Sequence, residues 1–200
     1  LTLLNILTHR LKFVPIEYKL LVVHIESDFH CQGCVHSKIL EDYFSESGFD
    51  YLVKQIFIMD SSKKPPNCFF CSWTRRKALF QIAKEYSCNK IAFGHHKDDI
   101  AETMLLNLFF NGEISTMPPK LSMFDGEFHI IRPLAYVEEK YIVNFAKIKN
   151  FPVNVCKCPN GILSKRRIVK NILRDIEKIN PKVKTNITRS LGRIKEGYLL

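Results

Sequence analysis

Asn67-Cys68-Phe69-Phe70-Cys71-Ser72-Trp73-Thr74-Arg75-Arg76-Lys77 and, one helix later, Gly94-His95-His96-Lys97-Asp98-Asp99 decide how this chain reads. The first stretch sets two thiols at the mouth of a helix; the second sets two carboxylates at the mouth of the next. Working outward, residues 20–25 (LLVVHI) are continuously apolar, as in a strand buried on both faces. Residues 51–58, 90–93 and 128–131 are the further strand candidates. Helical spacing marks residues 1–13, 37–47, 100–110, 138–149, 164–180 and 184–195, and Gly48 closes the second of these. Ser72 is a candidate cap for the helix whose buried face is Leu79, Ile82, Ala83 and Tyr86. Residues 60–67 (with Pro65-Pro66) and 112–126 (with Met117-Pro118-Pro119-Lys120) read as loops.

This alternation predicts an α/β fold: a Rossmann-like parallel sheet, helices on both faces, and a basic C-terminal helical segment. Ligands of such sheets gather beyond the carboxyl ends of the strands. The loop after Ile25 and the His95–Asp99 turn both fall there.

The chain has 200 residues, 46% of them hydrophobic, which suits one domain with a short appendage and argues against disorder. The division predicted is an α/β domain over residues 1–155 and a basic helical segment over 156–200. No apolar run reaches the roughly 18 residues of a membrane helix and no signal peptide is visible, so a cytoplasmic protein without membrane contact is expected. Between Lys157 and Lys195 there are twelve lysines and arginines and only two acids, Asp175 and Glu177, so this segment accounts for the whole formal excess of +10. Such density is the footprint of phosphate-backbone binding, although a solvated helical tail would look similar.

Seven cysteines fall as Cys31/Cys34, Cys68/Cys71, Cys88 and Cys156/Cys158. Without a secretory context the pattern points to metal ligation or thiol chemistry rather than to disulfides. Sulfur at Cys68 and Cys71 faces the positive end of a helix dipole. Four converging thiolates would make a closed zinc site, and three would leave an iron–sulfur cluster one open iron; spacing alone does not count the ligands. His30, Cys31, Cys34 and His36 could form a second metal site or a sulfur relay, but four ligands within seven positions are cramped and a loop of unassigned role is favoured; Cys88 reads as a packing residue. At the second mouth an aspartate can be a helix cap, but two in succession exceed what one cap requires.

With Cys68-Phe-Phe-Cys-Ser-Trp-Thr-Arg-Arg, Lys90-Ile-Ala-Phe-Gly-His-His-Lys-Asp-Asp, Met117-Pro-Pro-Lys and Ile131-Arg-Pro-Leu-Ala in this order, the chain resembles the TtcA family. These are tRNA 2-thiocytidine synthetases of the PP-loop ATPase superfamily, whose fold is adenine nucleotide alpha-hydrolase-like. The resemblance implies that ATP adenylates the C2 carbonyl oxygen of an anticodon-loop cytidine and that sulfur then displaces AMP. It implies a [4Fe-4S] cluster on Cys68, Cys71 and Cys156, with Cys158 as substitute for the last, and Mg²⁺ with the ATP. Asp98 and Asp99 match the family's essential acidic pair, while Ile25, Gly94 and His95 border the nucleotide. Arg75, Arg76, Lys165, Arg166 and Arg167 would grip the tRNA. A sulfur donor such as a cysteine desulfurase and a homodimer complete the implied partners. The family's Ser-Gly-Gly-Lys-Asp-Ser phosphate loop has no counterpart before residues 1–13, and the chain starts on Leu1. It therefore reads as a fragment, expected not to activate ATP by itself. Two rivals stand beside this reading: a tRNA 2-thiouridine synthetase of the same superfamily, and a zinc-stabilised RNA-binding module without chemistry.

Overall fold

A computed structural model describes residues 1–28, 37–59, 67–152 and 164–198. Helix α1 (Thr2–Arg10) precedes β1 (Val22–Ser27), α2 (Ser37–Glu46) and β2 (Tyr51–Ile56). The two strands run parallel, in register from Val22 beside Tyr51 to Ser27 beside Ile56. Past the end of α2, Gly48 sits at φ +68°, a left-handed conformation that glycine adopts without strain. Helix α3 (Cys68–Glu85), β3 (Lys90–Ala92) and α4 (Lys97–Asn111) follow.

A second sheet has the order β3-β5-β4, with β4 at Lys120–Met123 and β5 at Phe128–Ile131. β3 and β5 are parallel, as the alternation predicts, but β4 runs antiparallel to β5. Residues 112–126 are therefore not all loop, and the strands are not all parallel. The connection is a tight turn through Phe124, Asp125 and Gly126, all at positive φ. β4 escapes sequence pattern because it is only four residues long, lies at a largely exposed edge and directly follows Pro118-Pro119, which reads as a loop.

Two further expectations are corrected along α3. Asn67, not Ser72, caps α3: its side-chain oxygen accepts the Phe70 N–H at 2.7 Å. Cys68 and Cys71 thus lie inside the first turn rather than ahead of it. The buried face is Ala78, Ile82 and Ala83, whereas Tyr86 is the C-terminal cap and 48% exposed. In α4, Ile100, Ala101 and Met104 are buried, but Phe109 and Phe110 at its far end are exposed.

Helices α5 (Glu139–Ile148), α6 (Lys165–Ile179) and α7 (Val183–Ser190) follow, and a 3-10 turn over Glu196–Tyr198 ends the described residues. Helix α7 was expected to run to residue 195; it stops near Gly192, a poor helix former. Among the described residues there are two cores. One sets Ala78 and Ile82 of α3 on Ile25, Ile56 and Ile58. The other packs Ala101 of α4 against Val169, Leu173 and Val183. Val169 and Leu173 are essentially inaccessible, so the basic helices are anchored by an apolar stripe and turn their charge outward.

Helix α3 ties the sheets together. Its first turn rests on the first core through Cys71, and Arg75 donates to the Ile25 carbonyl at 3.2 Å, near the carboxyl end of β1. Farther along, Phe80 packs on the rings of Phe124 and Phe128, at the start of β5. The mouth of α3 therefore opens at the carboxyl ends of the strands.

Candidate active site at the carboxyl edge of the strands

Just past β1, Asp28 closes the strand pair: its carboxylate accepts the N–H of Ile58 at 2.7 Å and that of Met59 at 3.2 Å. The loop that continues from it, with His30, Cys31, Cys34 and His36, lies outside the described residues. Next along this edge come Cys68, exposed, and Cys71, half-buried against the core. Three residues apart in one helical turn, they lie on neighbouring positions of α3. Arg75 is directed to the Ile25 carbonyl, while Arg76 is exposed and donates to the Ser72 carbonyl of its own helix at 3.3 Å. Cys156 and Cys158 lie outside the described residues, so the meeting of distant sulfurs expected from the sequence is not described.

The β3–α4 turn carries the two carboxylates, and they do different work. Asp99 is the third residue of a reciprocal cap. It accepts the His96 N–H at 2.9 Å, while the His96 ring accepts the Asp99 N–H at 3.4 Å. Its other oxygen lies 3.6 Å from Arg166 of α6. Asp98 is 2% exposed, and both its oxygens are committed. One meets the Lys184 ammonium at 2.5 Å, and the other accepts the Glu139 N–H at 2.8 Å at the start of α5. Burial by itself raises the Asp98 pKa, but the Lys184 hydrogen bond and the Glu139 N–H outweigh it and hold the carboxyl below its ordinary value. Lys184 also reaches Glu177 at 2.8 Å. Burial works against its charge, yet these two carboxylates raise its pKa above the usual lysine value.

His95, half-buried beside the pair, accepts a hydrogen bond on Nδ1 from Arg132 Nε at 3.3 Å, which leaves the ring proton on Nε2. Burial lowers its pKa; Asp99 opposes this and Arg132 and Arg166 reinforce it, so the ring is neutral at physiological pH. Arg132 is itself buried; Nη1 donates to the Pro118 carbonyl at 2.6 Å, and its backbone N–H to Pro119 at 2.8 Å. This fixes the Met117-Pro118-Pro119-Lys120 loop against the strand end. Glu102, one turn into α4, is 5% exposed, and burial raises its pKa against the opposing effect of Lys170.

The structure thus brings Asp98, Asp99, His95 and Arg166 together, with Gly94 in the same turn. The Ile25 strand end and the Cys68/Cys71 turn meet at Arg75. Lys165 lies with its ammonium 4.7 Å from the Phe110 ring, and Arg167 lines an open cleft with Lys170 and Arg174. Asp28, Arg132 and Lys184 are site residues that sequence reasoning did not single out. Arg132 alone left a signal, as the arginine of Ile131-Arg-Pro; Lys184 is one base among many until the fold is known.

An α/β fold with a capped acidic turn at the strand edge defines a nucleotide-handling class, and comparison bears this out: the profile of the PP-loop domain family matches residues 3–175. The tRNA-cytidine(32) 2-sulfurtransferase of Geobacter sulfurreducens is 38% identical over 207 residues, which cover 100% of this chain and 79% of that protein. Its counterpart in Citrifermentans bemidjiense is 35% identical, with 100% and 80% covered. The chain belongs to the PP-loop domain family and, within it, to the TtcA family. Among solved structures, the U34-tRNA thiolase NcsA from Methanococcus maripaludis with its [4Fe-4S] cluster superposes with a TM-score of 0.75 at 22% identity, covering 96% of this chain and 66% of that one. That likeness establishes the fold.

Proposed function

We propose that the protein takes part in ATP-dependent 2-thiolation of an anticodon-loop cytidine of tRNA. One observation carries the reading: a likeness along the whole of this chain to tRNA-cytidine(32) 2-sulfurtransferases coincides with a thiol pair at the mouth of α3, on the edge where a PP-loop domain meets its ligands. Division into a nucleotide-handling unit over residues 1–155 and an RNA-facing segment over 156–200 fits the same reading.

The thiol pair fits an iron–sulfur cluster in donor chemistry: two cysteines in one helical turn, one of them exposed. Cys68, Cys71 and Cys156, with Cys158 as substitute, would hold a [4Fe-4S] cluster. Such a cluster supplies one open iron at which a sulfur can be carried. The chain's own residues arrange the rest. Asp99, with His95 and Gly94, would border the Mg²⁺–ATP, which would supply the activation of the cytidine C2 oxygen. Asp98 positions the turn through Lys184 and Glu139 rather than touching the nucleotide. Neutral His95 offers its Nε2–H to a developing negative charge. Arg76, Lys165, Arg166 and Arg167 supply phosphate contacts, with Arg75 held back by the Ile25 carbonyl.

Two measurements test this. Total tRNA from a deletion strain should lack 2-thiocytidine, and wild-type protein should restore it where Cys68→Ala does not. A strain that keeps 2-thiocytidine overturns the substrate, and one that loses 2-thiouridine instead favours the uridine synthetase. Anaerobic reconstitution should give a brown protein with roughly four irons, whereas tight colourless zinc would favour the RNA-binding module.

A further inference from the structure

The side of α3 turned away from the first core is aromatic and basic, in a chain otherwise rich in buried aliphatic packing. Phe69 is 74% exposed, Phe70 46% and Trp73 47%, all within two turns of the helix mouth. The Phe70 and Trp73 rings lie 6.4 Å apart at an interplanar angle of 25°, and the Lys77 ammonium sits 5.3 Å from the Trp73 ring centre. Phe70, Trp73 and Lys77 follow the i, i+3, i+7 spacing of one helical stripe, with Arg76 beside it. The stripe begins in the same turn as Cys68 and Cys71.

Large rings left in water are costly unless something covers them, and the chemistry of this patch selects what does. Two nearly parallel rings offer faces to a flat, unstacked partner, and the two cations beside them offer charge to an anionic backbone. A structured protein surface would not need that pairing, and duplex RNA hides its base faces. Single-stranded RNA supplies both, because unpaired bases stack on aromatic side chains while the phosphates meet lysine and arginine.

We propose that Phe70 and Trp73, flanked by Arg76 and Lys77, form a stacking platform for unpaired nucleobases of an RNA loop, next to the Cys68/Cys71 turn. The inference deepens the reading above by assigning the surface that receives the loop, and it rests on RNA being the partner.

Trp73 is the only tryptophan of the chain, so its intrinsic emission reports on the platform directly, with no cluster or turnover required. Purified full-length protein is titrated with an RNA hairpin carrying an unpaired loop, and in parallel with a blunt duplex of equal length; occupancy is read from the anisotropy of a labelled RNA. At equal occupancy the hairpin should quench Trp73 and the duplex should not. Phe70→Ala should weaken hairpin binding about tenfold and leave duplex binding unchanged. Lys77→Ala, a conservative surface change, should weaken the hairpin as well. A hairpin that binds without altering Trp73 emission, or that Phe70→Ala binds as tightly as wild type, overturns the platform and leaves the proposed function standing. Failure of both RNAs to bind overturns both. Emission that changes with protein concentration in the absence of RNA assigns this face to a second copy of the chain and overturns the platform.

Discussion

Asp98 and Asp99 are adjacent in the chain and opposite in environment: Asp98 is sealed between three elements, and Asp99 sits half-buried in a helix cap. Removing one partner of a buried ion pair leaves the other uncompensated, so Asp98→Asn should destabilise the fold by about 2–3 kcal/mol, moderated by Glu177, which still holds Lys184. The Asp98 pKa is lowered in the folded state. Its contribution is therefore complete above the ordinary carboxylate range near ~4 and is lost as pH falls through the lower folded value. Urea unfolding of wild type and Asp98→Asn should diverge at neutral pH and converge in acid. Glu102 has the opposite sign. Burial raises its pKa, so its charged form is penalised at neutral pH, and Lys170 retains Glu139 at 3.0 Å as an alternative partner. Glu102→Gln should stabilise the protein by up to about 1 kcal/mol at pH 7, seen as a higher Tm, with no gain at acid pH.

Among the elements, α3 and α6 carry the arrangement. The first turn of α3, which presents both thiols, is capped by the Asn67 side chain. Asn67→Ala should cost about 1 kcal/mol in thermal unfolding and speed hydrogen exchange at the Phe70 amide. Sequence reading placed this cap five residues late because Ser72 is also a good capping residue. What separates them is that Asn67 is extended, with φ −67° and ψ 154°, while Ser72 is already helical. Helix α6 depends on its apolar stripe instead. Leu173→Ala should cost about 3 kcal/mol by leaving a cavity beneath Ala101, and should raise hydrogen exchange in α6 and α7 before the rest of the chain.

For the whole molecule, the positive charge is concentrated on the C-terminal helices. The basic helices dock on α4 through Val169 and Leu173, and Arg166 then reaches the acidic turn. Arg166 and Lys184 thus reach the acidic turn, while the remaining cations of these helices stay exposed. If tRNA is the partner, affinity should fall steeply with salt. Replacing Lys165, Arg166 and Arg167 together by alanine should reduce the slope of log affinity against log salt by roughly two to three, as filter binding across a salt series would measure.

Short-range chemistry was legible in the sequence: the β/α alternation, the thiols and carboxylates at two helix mouths, Gly48 after α2, and the basic tail. Those signals depend on spacing and turn preference within a few residues, so they survive without tertiary information. The fold alone decided which aspartate is buried, that Arg75 serves a strand carbonyl, that Lys120–Met123 pairs antiparallel at an exposed edge, and that Lys184 is the cation paired with Asp98. Each of these depends on groups as far as 86 positions apart, Asp98 and Lys184 among them, coming within bonding distance. The energy of such a contact depends on burial and on the identity of the partner, and neither is written locally in the chain.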